Sequence, residues 1–271
     1  MVGGNRPDIA SIDCFLPTRE QVNVPKVCVL LLTHESKPSI IKQFDSMEVP
    51  AGWSKYLLVD EDSCAVSEFG NRNVVGFRHE RLVKVGYRPI AATLIPGSAH
   101  FPVIEFASTH KYDYVWAIEF DVHWTASWLR FFNQFDHHAD FLTTQLRRYD
   151  SDPDWCWWES MQSPPGTIFP WRHPHASLAS FNPIYRLSAA AVSALRRRFL
   201  WGWTGHNEVT IATLLEQDGF VVADMDGTSE FALATPRERI YSMETMRWRP
   251  EFSLQDVSTF ETNRLYHPVK H

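Results

Sequence analysis

The chain has 271 residues, of which 44% are apolar and 21% charged, and its formal net charge is −6. This composition fits a folded α/β protein and argues against disorder. It offers no membrane span of ~20 apolar residues, no signal-peptide pattern in its first residues and no basic field for nucleic acid, so we expect a cytoplasmic protein.

The four cysteines show no metal or disulfide spacing and are expected to be separate reduced thiols: Cys14, Cys28, Cys64 and Cys156.

The predicted elements begin after a proline-containing N-terminal arm, residues 1–24. The continuous apolar run 27–32 predicts a strand buried on both faces, and helical spacing follows over 40–47. Two further strands are predicted at 56–59 and 114–118, each followed by acidic residues. This alternation predicts a mostly parallel central sheet flanked by helices.

The second half of the chain contains fewer clear signals. We predict helices over 126–135 and 189–199, a tryptophan- and proline-rich loop over 155–171, a helix from Asn207 to Gly219, a strand over 221–223 and an irregular segment over 240–271. Together the elements predict one α/β domain over 25–271. Its first half, 25–125, would bind a nucleotide, and its second half, 126–271, an acceptor.

The acidic residues after the third predicted strand carry the most chemical information. Glu119 and Asp121 lie two residues apart at the strand end, where ligands gather in open α/β sheets. Two carboxylates at a turn can reach one Mg²⁺ or Mn²⁺, the cations that prefer oxygen ligands. A solvated strand end with no ligand is the alternative that the pattern alone leaves open.

The segment DYVWAIEFDVHWT (113–125) resembles the DxD region of glycosyltransferases with the GT-A fold, with Glu in the first acidic position. Other landmarks of that family occur in the same order along the chain. They are VCVLLLTHE (27–35) at the nucleotide base, YLLVDED (56–62) at the base or ribose, SLASFNPIYRLS (177–188) on the acceptor side, GHNE (205–208) at the catalytic base and His267 near the end.

The resemblance implies a single GT-A-like, Rossmann-like domain and a nucleotide-sugar donor, for which we favour a UDP-sugar. It implies that Glu119, Asp121 and His267 bind Mn²⁺ or Mg²⁺ and that Glu208 is the general base of an inverting reaction, with His206 as substitute. The residues implied at the nucleotide are Thr33, His34, Asp60, Asp62, Glu119 and Asp121.

Aromatic residues beside the GHNE segment are candidates for sugar contacts. Trp201 and Trp203, with Gly205 and Asn207, are predicted to contact the substrate, because aromatic faces pack against the C–H groups of a sugar ring. Core packing is the alternative for both tryptophans. The tryptophans of the 155–171 segment belong either to a lid or to the core.

Three functions remain open from the sequence. The favoured one is a glycosyltransferase acting on a glycan or lipid-linked glycan, which in the second case would work peripherally at the inner membrane face. A nucleotidyltransferase shares the sheet and the metal carboxylates, but no glycine-rich loop with a basic residue follows the first strand. A carbohydrate-binding protein without turnover is the third.

Overall fold

The structure, a computed structural model, describes residues 24–135, 138–168, 171, 174–225, 229–232 and 239–270. Of the predicted N-terminal arm, residues 1–24, only Val24 is therefore among the described residues. The strands are β1 Val27–Thr33, β2 Ser54–Asp60, β3 Val74–Phe77, β4 Tyr114–Glu119, β5 His123–Trp124, β6 Phe141–Arg148, β7 Leu178–Ser188, β8 Val222–Asp224, β9 Phe252–Ser253, β10 Leu265–Tyr266 and β11 Val269–Lys270. The α-helices are α1 Pro38–Ser46, α2 His79–Val85, α3 His100–Thr109, α4 Trp128–Phe132, α5 Ala189–Trp201 and α6 Asn207–Gln217.

The central sheet has seven strands in the order β3-β2-β1-β4-β7-β6-β8. Its strands run parallel except for β7, which is antiparallel to both β4 and β6. Strands from both sides of residue 125 join in this one sheet. The predicted fold class, a mostly parallel α/β sheet of Rossmann-like type flanked by helices, is confirmed.

Strand β1 shows why the sheet is covered on both faces. Every one of its side chains is buried, and alternate residues enter different cores: Cys28, Leu30 and Leu32 pack on one side, Val27, Val29 and Leu31 on the other. Residues of α3, α5 and α6 belong to the first core, and those of α1 and α4 belong to the second. Because both faces are occupied by helices, the strand ends are the places left for a ligand.

The four predicted strands, which correspond to β1, β2, β4 and β8, and most predicted helices are confirmed within a few residues. The helix predicted over 126–135 is shorter: α4 spans Trp128–Phe132, since the Ser127 hydroxyl accepts from the Arg130 backbone N–H at 3.4 Å and begins the helix there. Among the described strands and α-helices before residue 240, six had no prediction, namely β3, α2, α3, β5, β6 and β7.

Two segments for which no strand was predicted contain strands. The 177–188 segment, assigned to the acceptor side by resemblance, forms the long antiparallel strand β7 in the middle of the sheet. The C-terminal segment, predicted to be irregular, contains the short strands β9, β10 and β11, which pair with each other or with β5. No helix in the described ranges is long and apolar enough to cross a membrane.

Candidate active site

A cleft of about 310 Å³ lies at the carboxyl ends of β1, β2, β3 and β4. Its lining combines charged groups with an apolar wall that contains Leu32, Phe77 and Leu94. The charged and polar lining residues are Thr33, His34, Asp60, Glu119, Asp121, Asn182, His206, Asn207, Glu208, Arg249, Glu251, His267 and Lys270. This composition, largely apolar with a few convergent charges, is typical of a small-molecule site.

Three side chains in the cleft form a compact acid and histidine cluster. Glu119 is the last residue of β4, and the Val122 N–H donates to its carbonyl at 3.0 Å, so that the chain turns and brings Asp121 alongside. The Nε2 atom of His267 lies 3.5 Å from Glu119 Oε2 and 3.4 Å from Asp121 Oδ1. Possible ligand atoms of the three residues lie within 4.8 Å of one another.

The C-terminal segment holds His267 in this position. The Val269 N–H donates to the Asp121 carbonyl at 2.8 Å, and β10 pairs with β5 directly after the acidic turn. The Nδ1 atom of His267 bonds to the Arg247 carbonyl at 2.9 Å, which leaves Nε2 directed at the carboxylates. A hydrogen bond from one ring nitrogen to a carbonyl is the usual way in which a metal-ligating histidine is oriented. The donor set and this support therefore fit a divalent cation.

The cluster is strongly charged although two of its three side chains, Asp121 and His267, are buried. Burial disfavours the Asp121 carboxylate, but the hydrogen bonds from His267 and Lys270 outweigh this and lower the pKa of Asp121 to about 2. Burial likewise disfavours the charged imidazole, but Asp121 and Glu119 raise the pKa of His267 to about 9. Lys270 Nζ lies 2.8 Å from Asp121 Oδ2. In the protein alone, these two cations balance the two carboxylates.

A second acidic group, Glu208, faces the same cleft from the first turn of α6. Its side chain is 15% exposed, and its Oε2 atom lies 3.6 Å from Nδ1 of His206. Burial raises the pKa of Glu208 to about 8, with a smaller opposing effect of Arg147 and a further increase from the negative charge of Glu119. A carboxyl group with a pKa near neutrality is suited to taking up a proton.

His206 begins α6 rather than serving as a free base. Its Nδ1 atom accepts the Glu208 backbone N–H at 3.3 Å, and its ring stacks on Trp157 with centroids 4.4 Å apart. Burial lowers the pKa of His206 to about 4. The imidazole is therefore neutral at neutral pH, and one nitrogen is engaged as a helix cap, which makes His206 a poor substitute for Glu208.

Most of the site residues expected from the sequence meet in this cleft: Thr33, His34, Asp60, Glu119, Asp121, His206, Asn207, Glu208 and His267. Asp62 does not, because its carboxylate turns outward, accepts the His79 N–H at 2.8 Å and lies 3.9 Å from Arg78. Trp201 is 67% exposed at the end of α5, and it does not line the cleft.

Trp203 and Gly205 also lie outside the cleft lining, for packing reasons. Trp203 is only 8% exposed and meets Trp171 edge to face at 6.5 Å. Gly205 has φ +147°, and a β-carbon there would lie 2.9 Å from the Met161 backbone. Its role is to let the chain pass close to the 155–171 loop before α6 begins.

The contrast between Trp201 and Trp203 gives a prediction on stability. Trp203→Ala is expected to lower the free energy of unfolding by about 3–5 kcal/mol, because it leaves a cavity between α5 and the loop. Trp201→Ala is expected to change it by less than about 0.5 kcal/mol, because the side chain is exposed. Urea unfolding of both variants measures this, and equal effects of the two substitutions would contradict the packing described here.

Sequence reasoning missed three parts of the cleft. Lys270 contributes the cation on Asp121, and Asn182 lies in the middle of β7, with its Oδ1 atom accepting from the Thr143 hydroxyl at 2.7 Å. The third part is a pair of rims, Leu94–Gly97 on one side and Trp248–Glu251 on the other. Neither rim belongs to a regular element, so no periodicity marks them, although the proximity of Lys270 to His267 in sequence was a usable signal.

The sequence matches no protein-family model and no curated protein. Among solved structures, a galactosyltransferase, LgtC, in complex with donor and acceptor sugar analogs is similar over 88% of this chain and 79% of its own, with 7% identity and a TM-score of 0.43. A CMP:2-keto-3-deoxy-manno-octonic acid synthetase complexed with CTP is similar over 76% and 93%, with 12% identity and a TM-score of 0.36. A mycobacterial protein is similar over 72% and 62%, with 12% identity and a TM-score of 0.39. The chemistry of the cleft must therefore follow from this chain's own residues.

Proposed function

We propose that the protein is a metal-dependent glycosyltransferase that moves a sugar from a nucleotide sugar to a hydroxyl group of a glycan or glycoconjugate. The preferred donor is a UDP-sugar, and the reaction inverts the anomeric carbon. One observation carries the proposal: the Glu119, Asp121 and His267 cluster and the Glu208 carboxyl group line the same cleft at the strand ends. A cation site and a proton acceptor are the two functions that this transfer needs on either side of the sugar.

The cation side of the cleft would receive the diphosphate. Glu119, Asp121 and His267 would hold Mn²⁺ or Mg²⁺, which, when bound, neutralises the charge that develops on the leaving diphosphate. Lys270, whose Nζ lies beside Asp121, adds a positive charge at the same place. The apolar wall formed by Leu32, Phe77 and Leu94 fits the face of a nucleobase, and Asp60 at the end of β2 fits a ribose hydroxyl.

The other side of the cleft would carry out the proton transfer. The acceptor oxygen forms a bond to the anomeric carbon while the bond from that carbon to the diphosphate oxygen breaks. The electron pair leaves with the diphosphate, and the acceptor proton passes to the Glu208 carboxylate. The Asn182 backbone donates a hydrogen bond to this carboxylate and so favours its ionised form.

The raised pKa of Glu208 predicts a pH dependence. A general base acts only when it is deprotonated, so kcat/KM is expected to rise with pH and to reach half of its maximum near pH 8. Below that pH the rate should fall about tenfold per pH unit. The profile is measured with saturating Mn²⁺, and a rate that is flat from pH 6 to pH 9 would argue against Glu208 as the base.

Product analysis tests the proposed reaction without knowledge of the natural acceptor. The protein is incubated with Mn²⁺ and each of a panel of nucleotide sugars, with and without simple glycan acceptors, and the release of nucleoside diphosphate is measured. The expected result is diphosphate release from one donor, UDP-sugars first. Consumption of a nucleoside triphosphate with release of pyrophosphate would instead identify a nucleotidyltransferase. Sugar binding without any turnover would identify a carbohydrate-binding protein.

A further inference from the structure

The surface where α2 and α5 end carries a combination of exposed apolar and basic side chains. Both helices end at glycines with positive φ, Gly86 at +116° and Gly202 at +116°. A β-carbon on Gly86 would lie 3.4 Å from Leu200 Cδ2, and Arg88 Nη1 donates to the Gly202 carbonyl at 2.9 Å. The two helix ends therefore lie side by side.

A turn of the 155–171 loop joins this surface. A β-carbon on Gly202 would lie 3.0 Å from Pro165, and the Thr167 N–H closes the turn on the Pro164 carbonyl at 3.2 Å. Directly after this turn, Ile168 is 86% exposed. We call the combined surface the helix-end patch. It consists of Arg81, Val85, Arg88, Ile168, Arg197 and Trp201.

The two helices place the same pair of residue types on their outer faces. On α2, Arg81 precedes Val85 by four residues, and on α5, Arg197 precedes Trp201 by four residues, so each pair lies on one helix face. In both pairs the apolar residue is at the tip of the helix and the arginine lies one turn behind it. Of the two apolar residues at the helix tips, Trp201 is the more exposed, at 67%.

Two of the three arginines of the patch are free to meet a partner, whereas Arg88 donates to the Gly202 carbonyl. Within the described ranges, Arg81 and Arg197 have no ion pair, whereas the arginines beside Arg197 are paired, Arg196 with Glu105 and Arg198 with Asp218. The whole chain has a net charge of −6, so this basic surface is a local feature. Its complement is an anionic surface that also accepts apolar side chains.

We propose that the helix-end patch docks the protein on an anionic lipid bilayer. Tryptophan is enriched at the level of lipid headgroups because its ring is amphipathic, and arginines one turn behind the tip would meet the anionic headgroups. Trp201, Val85 and Ile168 enter the interface, and Arg81, Arg88 and Arg197 remain at the phosphates. Such binding is peripheral and depends on ionic strength.

If the proposed function holds, the position of the patch also indicates which acceptor the enzyme would use. Trp201 precedes His206 by five residues, and the connecting Thr204 pairs with Gln162 of the 155–171 loop. A connection of only a few residues thus joins the patch to the first turn of α6, which contains Glu208. Docking there would present the catalytic base to hydroxyl groups of lipid-linked glycans at the membrane surface.

Vesicle co-sedimentation tests the docking with no nucleotide present, so its result is independent of the proposed reaction. The full-length protein is mixed with phosphatidylcholine vesicles, with or without 30 mol% phosphatidylglycerol (roughly the anionic content of a charged leaflet), at low and high salt. We expect binding to the anionic vesicles alone, and weaker binding at high salt. Trp201→Ala should weaken it about fivefold and Arg197→Glu at least about tenfold.

Matched controls exclude general effects of charge or of tryptophan. Lys42→Glu alters an exposed basic residue of α1, and Trp248→Ala removes an exposed tryptophan at the cleft rim. Both should bind vesicles as the unaltered protein does, and all four variants should keep its melting temperature within a few degrees.

Absence of binding to anionic vesicles, or equal binding by all variants, would overturn the proposal. A dimer in sedimentation velocity that Trp201→Ala dissociates would also overturn it and assign the patch to a second copy of the chain.

Discussion

Glu208→Gln is expected to lower the rate of sugar transfer by about 10²–10⁴-fold while leaving the affinity for the nucleotide sugar unchanged within about twofold. The amide keeps the size of the side chain but cannot accept the acceptor proton, and a positioned general base contributes a factor of this order. Glu208 belongs neither to the cluster that would hold the diphosphate nor to the apolar wall proposed for the nucleobase, so donor binding has no reason to change. Steady-state kinetics for transfer and calorimetry for donor binding give the two readouts.

The control for this substitution is Glu80→Gln, which makes the same chemical change at an exposed residue of α2. It should leave both the rate and the donor affinity unchanged. Full activity of Glu208→Gln would show that Glu208 is not the general base. A parallel loss of rate and donor affinity would show that Glu208 acts in donor binding. If neither the unaltered protein nor any variant catalysed sugar transfer, the result would support the carbohydrate-binding alternative.

Asp121→Asn is expected to abolish the metal dependence of nucleotide binding and to lower transfer at least about 100-fold. The substitution removes a buried charged ligand, and loss of an outer-shell partner alone costs 10–100-fold in metal affinity or activity. The remaining Glu119 and His267 would still lie close together, so the fold around the turn should survive. The measurement is the melting temperature with UDP, in Mn²⁺ or in chelator, for both proteins.

Asp62→Asn is the matched control for Asp121→Asn, because Asp62 also follows a strand of the sheet but turns away from the cleft. It should retain the Mn²⁺-dependent shift in melting temperature. If Asp62→Asn removed the shift and Asp121→Asn did not, the nucleotide would bind on the outer side of the β2 turn, and the cleft described here would be wrong as the donor site.

The parts of the fold that could be predicted are those with a strong local pattern. Strand β1 is apolar from Val27 to Leu32 because both faces are covered, and such a run is readable without knowledge of its neighbours. Strand β7 was not readable in this way, because its sequence contains Asn182, Pro183 and Arg186, which are buried through tertiary contacts. The Arg186 guanidinium lies over the ring of Tyr114 at 4.7 Å, a contact between distant parts of the chain.

The residues of the candidate site also differ in whether a local sequence pattern marks them. Glu119 and Asp121 could be predicted because they lie at the end of a strand, whereas Glu208 was indicated by the family resemblance of the GHNE segment. Their approach to His267 depends on the path of the C-terminal segment, where the Val269 N–H bonds to the Asp121 carbonyl. For His267 a family resemblance supplied what spacing could not. For Trp203 the aromatic side chain suggested a sugar contact, but the core-packing alternative holds, because the ring is enclosed between α5 and the neighbouring loop.

Calorimetric titration of UDP into the Mn²⁺-loaded protein tests the central claim most directly, that a cation held by Glu119, Asp121 and His267 receives a nucleoside diphosphate in this cleft. We predict one saturable site per chain that disappears when Mn²⁺ is chelated and in Asp121→Asn, but persists in Glu208→Gln. Absence of binding by UDP and by other nucleoside diphosphates, or binding that is indifferent to both the cation and Asp121, would contradict the account.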